Sequence, residues 1–176
     1  MTVDVAIVIV NYRTAEMLID CISKMLNTLN FELVTICIVD NFSNDGSYEE
    51  IRKWIDEKRV SENIHLISSS ENGGFSAGNN IGIKAIPAKY YLLLNSDAYI
   101  QQSSIDALID TFSKHPSIGL VSPQLTWEDG APQESTFNFF HPMTEFVQQA
   151  NTGIISSRLK KYVVAEDIDE TARFVQ

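Results

Sequence analysis

Hydrophobic and polar positions along the first two thirds of the chain switch repeatedly between two periods. "VDVAIVIV" (3–10) is a nearly continuous β-branched run, the pattern of a strand buried on both faces. From about Ala15 to Leu29, the apolar residues Leu18, Ile22, Met25, Leu26 and Leu29 recur on one face at helical spacing. "LVTICIV" (33–39) predicts a second buried strand. Ser47-Tyr48-Glu49-Glu50 has the form of a capping box and opens a helix through Trp54 and Ile55. "NIHLI" (63–67) predicts a third strand, and "SAGNNIGIKAI" (76–86) a helix whose glycines lower its propensity. "YYLLL" (90–94) is a fourth strand, followed by a helix from about Ser103 to Lys114 that stops before Pro116. "IGLVS" (118–122) predicts a fifth strand.

The order βαβαβαβαβ with short connections implies an α/β fold, a mostly parallel sheet with helices on both faces. No internal repeat or low-complexity segment interrupts it. After Pro123 the pattern weakens: Glu128-Asp129-Gly130, Pro132 and Pro142 signal turns, among scattered Phe137, Phe139 and Phe140. A last amphipathic stretch, Ile154 to Val164, leads to an acidic "AEDIDE". The expected organisation is a ligand-binding half over 1–122 and a loop-rich and helical continuation of the same domain over 123–176.

Composition narrows the function classes. The 176 residues suffice for one domain with a sizeable core. The net charge of −10 comes without a basic stripe, which argues against nucleic acid as a partner. The basic cluster Arg158-Leu159-Lys160-Lys161 is short and reads as a solvated helix face. Cys21 and Cys37, the two cysteines, lie in apolar periodic segments and outside any zinc-like spacing. They read as buried free thiols of a reducing compartment. The N-terminus reads as a strand and not as a signal peptide, since it lacks a basic flank and Asp4 breaks its apolar run. No stretch approaches the roughly 20 apolar residues needed to cross a bilayer. The expected location is cytoplasmic, or peripheral to the cytoplasmic face of a membrane.

In open α/β sheets, ligands bind beyond the carboxyl ends of the strands. Those ends carry Asn11-Tyr12-Arg13, Asp40-Asn41, Asn72-Gly73-Gly74-Phe75 and Asn95-Ser96-Asp97. Each has an ordinary reading and a chemical one. Asp40 is a favoured turn residue, or an acceptor for a pyrimidine N3–H. Gly73 and Gly74 are loop glycines, or let the backbone approach a diphosphate at the start of a helix. Asn79 and Asn80 are weak helix formers, or amides placed for a nucleotide or sugar. Asp97 closes a turn, or joins substrate phosphates in holding Mg²⁺ or Mn²⁺.

"VAIVIVNYR", "IVDNFSNDGS", "NGGFSAGNNIGI" and "LLLNSDAYI", in this order, together with "SPQLTWEDGAPQES", resemble the inverting nucleotide-sugar glycosyltransferases of family 2. The nearest likeness is to the rhamnosyltransferase-like branch. The resemblance implies a GT-A fold and a UDP- or dTDP-linked sugar donor. It further implies a Mg²⁺ or Mn²⁺ ion at Asp97 and a saccharide or lipid-linked saccharide acceptor. Its donor contacts map to Asn11, Tyr12, Asp40, Asn72, Gly73, Gly74, Asn79, Asn80, Asn95 and Asp97, with Asp40 against the base. Asn95 departs from the family's Asp-x-Asp, so Asp97 is the one charged ligand of that motif. The catalytic base, an acid in a Glu-Asp motif beyond a Gly-Ala segment, is expected past Gln176. "AEDIDE" precedes that segment, and Glu128 and Asp129 read as turn residues. The expectation is a donor half that binds but does not transfer sugar alone, and that self-associates.

Three other classes compete. A nucleotidyltransferase needs a Gly- and Arg/Lys-rich loop after strand one, where "NYRTAEML" offers only Arg13. A response-regulator-like domain needs paired acids there, and Asn11-Tyr12 supplies none. A binding or assembly domain derived from a glycosyltransferase fits Asn95 and the unassigned base.

Overall fold

Long β-branched runs gather in the middle of a four-stranded sheet, and the helices between them cover its two faces. The computed structural model of the protein describes residues 3–127 and 129–133. The elements are β1 (Val3–Asn11), α1 (Ala15–Leu26), β2 (Val34–Asp40), α2 (Ser47–Lys58), β3 (Ile64–Ser68), α3 (Gly74–Ala85), β4 (Ala88–Leu94) and α4 (Gln102–Lys114). The strands run parallel in the order β3-β2-β1-β4. Strands one to three step outward in one direction, and β4 returns to the other side of β1. The direction of winding therefore reverses between β1 and β4, where a crevice opens at the carboxyl edge. The fold is the expected α/β class with a parallel sheet.

Side-chain alternation on β1 separates two cores. Val5, Ile7 and Ile9 point to one face, where they pack with Leu18, Ile22 and Met25 of α1, Ile51 and Ile55 of α2 and Ile105 of α4. Val8 points to the other, with Cys37 and Val39 of β2 and Ile81 and Ile83 of α3. Every residue of β2 is buried, as a central strand covered on both faces requires. The glycines of α3 have a packing reason. A Cβ at Gly78 would stand 2.8 Å from a Val10 methyl, and one at Gly82 would press closer still on Val8. Their absence lets α3 lie close on β1 and β2, which fixes where its N-terminus points.

Three expectations are corrected. Residues 118–122 form no strand. Leu120 is 88% exposed, and the segment joins no ladder among the described residues, because an apolar run of five residues does not itself supply a pairing partner. Ser47 is the first helical residue of α2, not its cap, and no side chain of the residue before the helix makes a capping bond. Asp45 takes that role from one position earlier by accepting the Ser47 N–H at 3.0 Å. Hydrogen bonds from Ser47 hold the Asp45 carboxyl below its usual range. The helix read to Leu29 ends at Leu26, with Asn27 as its C-cap.

The chain divides into two units, 1–116 and 117–176. In the second, Thr126 and Pro132 bridge antiparallel around a turn in which Asp129 accepts the Ala131 N–H at 2.9 Å. Phe137, Phe139, Phe140, Pro142, the stretch Ile154 to Val164 with its basic cluster, and "AEDIDE" lie outside the described residues, as does Glu128.

The glycine contacts give a prediction whose sign is a contest. Helix propensity favours Gly82→Ala by about 1 kcal/mol. Overpacking against fully buried Val8 costs about 1–3 kcal/mol and prevails, so Gly82→Ala lowers stability in urea denaturation followed by circular dichroism. Equal or higher stability would show that α3 does not need this close approach.

Candidate functional site

The crevice between β1 and β4 is a cleft of about 370 Å³, lined by Val10, Tyr12, Thr14, Asn41, Asn72, Gly74, Phe75, Asn95, Ser96 and Asp97. All four strand tips contribute to this rim or to the layer beneath it. Of the residues picked from the sequence, Asn72, Gly74, Tyr12, Asn95 and Asp97 line the cleft. Asn11 and Asp40 form the floor under it. Gly73 caps α3, Asn79 is buried on that helix, and Asn80 is exposed; these three lie off the lining.

The floor is a buried hydrogen-bond network. Asn11 Nδ2 donates to Asp40 Oδ1 at 2.8 Å and to Ser43 Oγ at 3.2 Å. The Ser43 hydroxyl and its N–H both donate to Asp40. Asn11 Oδ1 accepts from the Thr14 N–H and hydroxyl at 3.2 and 3.0 Å. Thr14 Oγ1 in turn lies 3.2 Å from Ser96 Oγ. One chain of bonds thus joins the tips of β2 and β1 to the turn after β4. Asp40 is 3% exposed, and its carboxylate is engaged inside the protein.

Asn41, also 3% exposed, reaches the cleft instead. Its Nδ2 donates to Asn72 Oδ1 at 2.7 Å and to Gly74 O at 3.3 Å. Its Oδ1 is buried with no partner among the described residues, which normally costs about 1–3 kcal/mol. The Oδ1 of Asn79 is orphaned likewise, while its Nδ2 donates to Phe75 O. An unpartnered acceptor beside a cleft is where a ligand N–H or O–H would be received.

Sequence reasoning missed Asn41, Thr14, Phe75 and Ser96. Side chains alternate along a strand, so the adjacent Asp40 and Asn41 point to different sides, and Asn41 is the one on the cleft lining. β2 is buried on both faces, and its hydrophobic pattern leaves the choice open.

Strain gathers in the same place. Arg13, Phe42 and Asn44 take left-handed backbone, with φ of 60°, 62° and 52°, a conformation that costs a non-glycine residue about 1–3 kcal/mol. The Arg13 Nε donates to Ser43 O at 3.0 Å and ties the loops after β1 and β2 together. Its guanidinium lies 5.1 Å from the centre of the Tyr12 ring. Both cysteines are free and buried. Burial, with help from Asp20 and Asp97, pushes the Cys21 thiol up to about 12, so it remains S–H.

The electrostatics of the lining are simple. Among the described residues that line it, Asp97 is the one carboxylate and there is no Lys, Arg or His. Among the described residues no group of three or more His, Cys, Asp or Glu side chains could hold a metal alone. Gly74 opens α3 with φ 82° and lines the cleft, its own N–H donating to Asn72 Oδ1 at 3.0 Å, so the N-terminal end of the helix lies at the rim. A single carboxylate with a helix N-terminus opposite suits Mg²⁺ or Mn²⁺ completed by phosphate oxygens; it does not suit a metal resident without ligand.

The profile of "Glycosyl transferase family 2" matches residues 6–160. The chain belongs to glycosyltransferase family 2. Within the family, it is 30% identical over 133 residues to the low-salt glycan biosynthesis hexosyltransferase Agl10 of Haloferax volcanii, covering 73% of this chain and 39% of that protein. It is 27% identical over 111 residues to the poly-beta-1,6-N-acetyl-D-glucosamine synthase of Staphylococcus aureus, covering 63% of this chain and 26% of that one. The chain therefore spans well under half the length of these two relatives. The fold matches the mannosyltransferase PcManGT of Pyrobaculum calidifontis, solved with GDP-Man and Mn²⁺, at a TM-score of 0.55 and 18% identity over 68% of this chain and 34% of that one. It also matches TarS of S. aureus in complex with UDP-GlcNAc, at a TM-score of 0.50 and 18% identity over 71% of this chain and 38% of that one. The sheet with its helices is the GT-A fold of this family. No helix among the described residues is long and apolar enough to cross a membrane.

The network predicts that Asn11→Ala destabilises the fold by about 1–3 kcal/mol, since it strips donors from a buried carboxylate. Urea denaturation measures this. A loss under about 0.5 kcal/mol, the range of neutral surface changes, would mean the floor does not depend on Asn11.

Proposed function

We propose that the chain forms the donor-binding part of an enzyme that moves a sugar from a nucleoside diphosphate sugar to a saccharide acceptor, with inversion at the anomeric carbon. The observation that carries this reading is the cleft at the β1–β4 reversal, which Asp97, the one carboxylate among its described lining residues, shares with the N-terminal end of α3. The diphosphate goes to that end, where free N–H groups of the first helical turn donate to its oxygens and Gly74 lets the backbone come close. Asp97 would hold a Mg²⁺ or Mn²⁺ ion together with phosphate oxygens of the donor, and such an ion would supply charge stabilisation to the departing nucleoside diphosphate.

The base goes to the tip of β2. Asn41 Oδ1 accepts the N3–H of uracil or thymine, which restores the bond this buried oxygen lacks. Asp40 acts from below, holding Asn11 and Ser43 and so the loop that positions Asn41. Tyr12 and Phe75 offer apolar walls at the mouth, where they are 41% and 52% exposed. Acceptor deprotonation needs a second carboxylate on the opposite side of the sugar. Among the described residues none but Asp97 lines the cleft, so the base belongs outside them. A saccharide or lipid-linked saccharide acceptor and a place in the rhamnosyltransferase-like branch follow the family resemblance.

Calorimetry with UDP, dTDP and GDP, in Mn²⁺ and in EDTA, tests the site. UDP and dTDP bind in Mn²⁺, and Asp97→Ala removes the advantage of Mn²⁺ over EDTA. Asn41→Ala weakens UDP and dTDP by about 1–3 kcal/mol, as for a lost buried hydrogen-bond partner, and leaves GDP unchanged. Equal losses for all three nucleotides would assign Asn41 to loop structure. Equal UDP affinity with and without Mn²⁺ in the unmutated chain would remove the metal role.

A further inference from the structure

The Asp97 side chain is solvent-exposed, yet the backbone around it is gripped from one side. Thr14, immediately before α1, places its hydroxyl 3.2 Å from Ser96 Oγ. Two turns along, the Cys21 thiol donates to the carbonyl oxygen of Ala98 at 2.8 Å. Near the end of the helix, the Lys24 ammonium lies 5.2 Å from the centre of the Tyr99 ring. Cys21 lies about two turns beyond the N-cap Thr14, and Lys24 three residues further on, so the three fall on one side of α1 within about 80° of each other. The loop runs along that side and meets it at 96, 98 and 99. Asp97 is the residue between the first two contacts, left to project into the cleft. Beyond them, Ile100 anchors the loop in the core that also holds Leu18 and Ile22 of α1.

We propose that Thr14, Cys21 and Lys24 are positioning residues that clamp the loop on both sides of Asp97 and so hold its carboxylate at the metal position. This rests on the reading of Asp97 given above. A lone carboxylate has no neighbouring acid to compensate for a misplaced oxygen, and a functional ligand must be held to about 0.5 Å by the residues behind it. The short turn in which the Ala98 N–H reaches Asn95 O at 3.3 Å is too weak a brace by itself.

The test compares the gain in UDP affinity from EDTA to Mn²⁺, by calorimetry, in the unmutated chain and in Cys21→Ala, Cys21→Ser and Lys24→Met. Cys21→Ala should cut the Mn²⁺ gain by about tenfold, the lower end for residues that orient metal ligands, with the affinity in EDTA unchanged. Cys21→Ser keeps a donor and should restore most of the gain. Lys24→Met lies on the partly exposed flank and leaves the core intact. It should cut the gain by about two- to fivefold, the size of an exposed cation–π contact, and it decides the matter if Cys21→Ala does not fold. Variants that keep the full gain overturn the clamp, as do variants that lose affinity equally in Mn²⁺ and EDTA. An unmutated chain with no gain overturns the metal reading itself.

Discussion

The bond from Asn11 to Asp40 is the constraint on which the site depends. It joins the ends of two neighbouring parallel strands at the last paired residues of their ladder, where the Asn41 N–H also donates to Asn11 O at 2.8 Å. A carboxylate that is 3% exposed needs donors, and Asn11 and Ser43 supply them. The same Asn11 turns its oxygen to Thr14, so its amide is used at both ends. Neighbouring loops then have little freedom. Arg13, Phe42 and Asn44 accept left-handed backbone because the network and the Arg13–Ser43 bond over-determine their positions. Rigid tips let Asn41 keep an unpaired buried oxygen, since a looser loop would rotate that amide toward water.

A second constraint acts through van der Waals contact. Gly78 and Gly82 let α3 sink onto Val10 and Val8, and the helix therefore begins close to the carboxyl edge of the sheet. The apparent defect in the sequence, a helix with poor propensity, is the condition for bringing its N-terminus to the cleft. Local propensity and tertiary packing conflict here, and such conflicts gather where a protein works.

This separates what the sequence discloses from what it does not. The four strands were legible because "VDVAIVIV", "LVTICIV", "NIHLI" and "YYLLL" carry the unbroken apolar pattern that burial between layers demands. Residues 118–122 carry the same pattern without a partner, and pattern cannot report pairing. The convergence of Asn11, Tyr12, Asn72, Gly74, Asn95 and Asp97 was legible from topology, because parallel strands put all their tips on one edge. The division of labour between Asp40 and Asn41 was not. It depends on which side of a doubly buried strand faces the ligand, a matter of half a pleat. Thr14 and Ser96 were hidden for another reason: their meeting spans 82 positions along the chain.

Electrostatics sets what a single acid at the cleft would do to a diphosphate. A carboxylate about 5 Å from a phosphate charge opposes it by about 3 kcal/mol at an effective dielectric constant near 20. The start of α3 returns about 0.3–1 kcal/mol, or about 2 in a partly buried setting. Among the described residues no Lys, Arg or His lines this cleft, so on the proposed reading Asp97 would oppose a diphosphate unless a cation accompanies it. On the proposed reading, a divalent ion held by Asp97 would offset this repulsion. With Asn95 and not a second acid beside it, such an ion would need phosphate oxygens to complete its shell. Metal and donor would then favour each other's binding by the same free energy in either order.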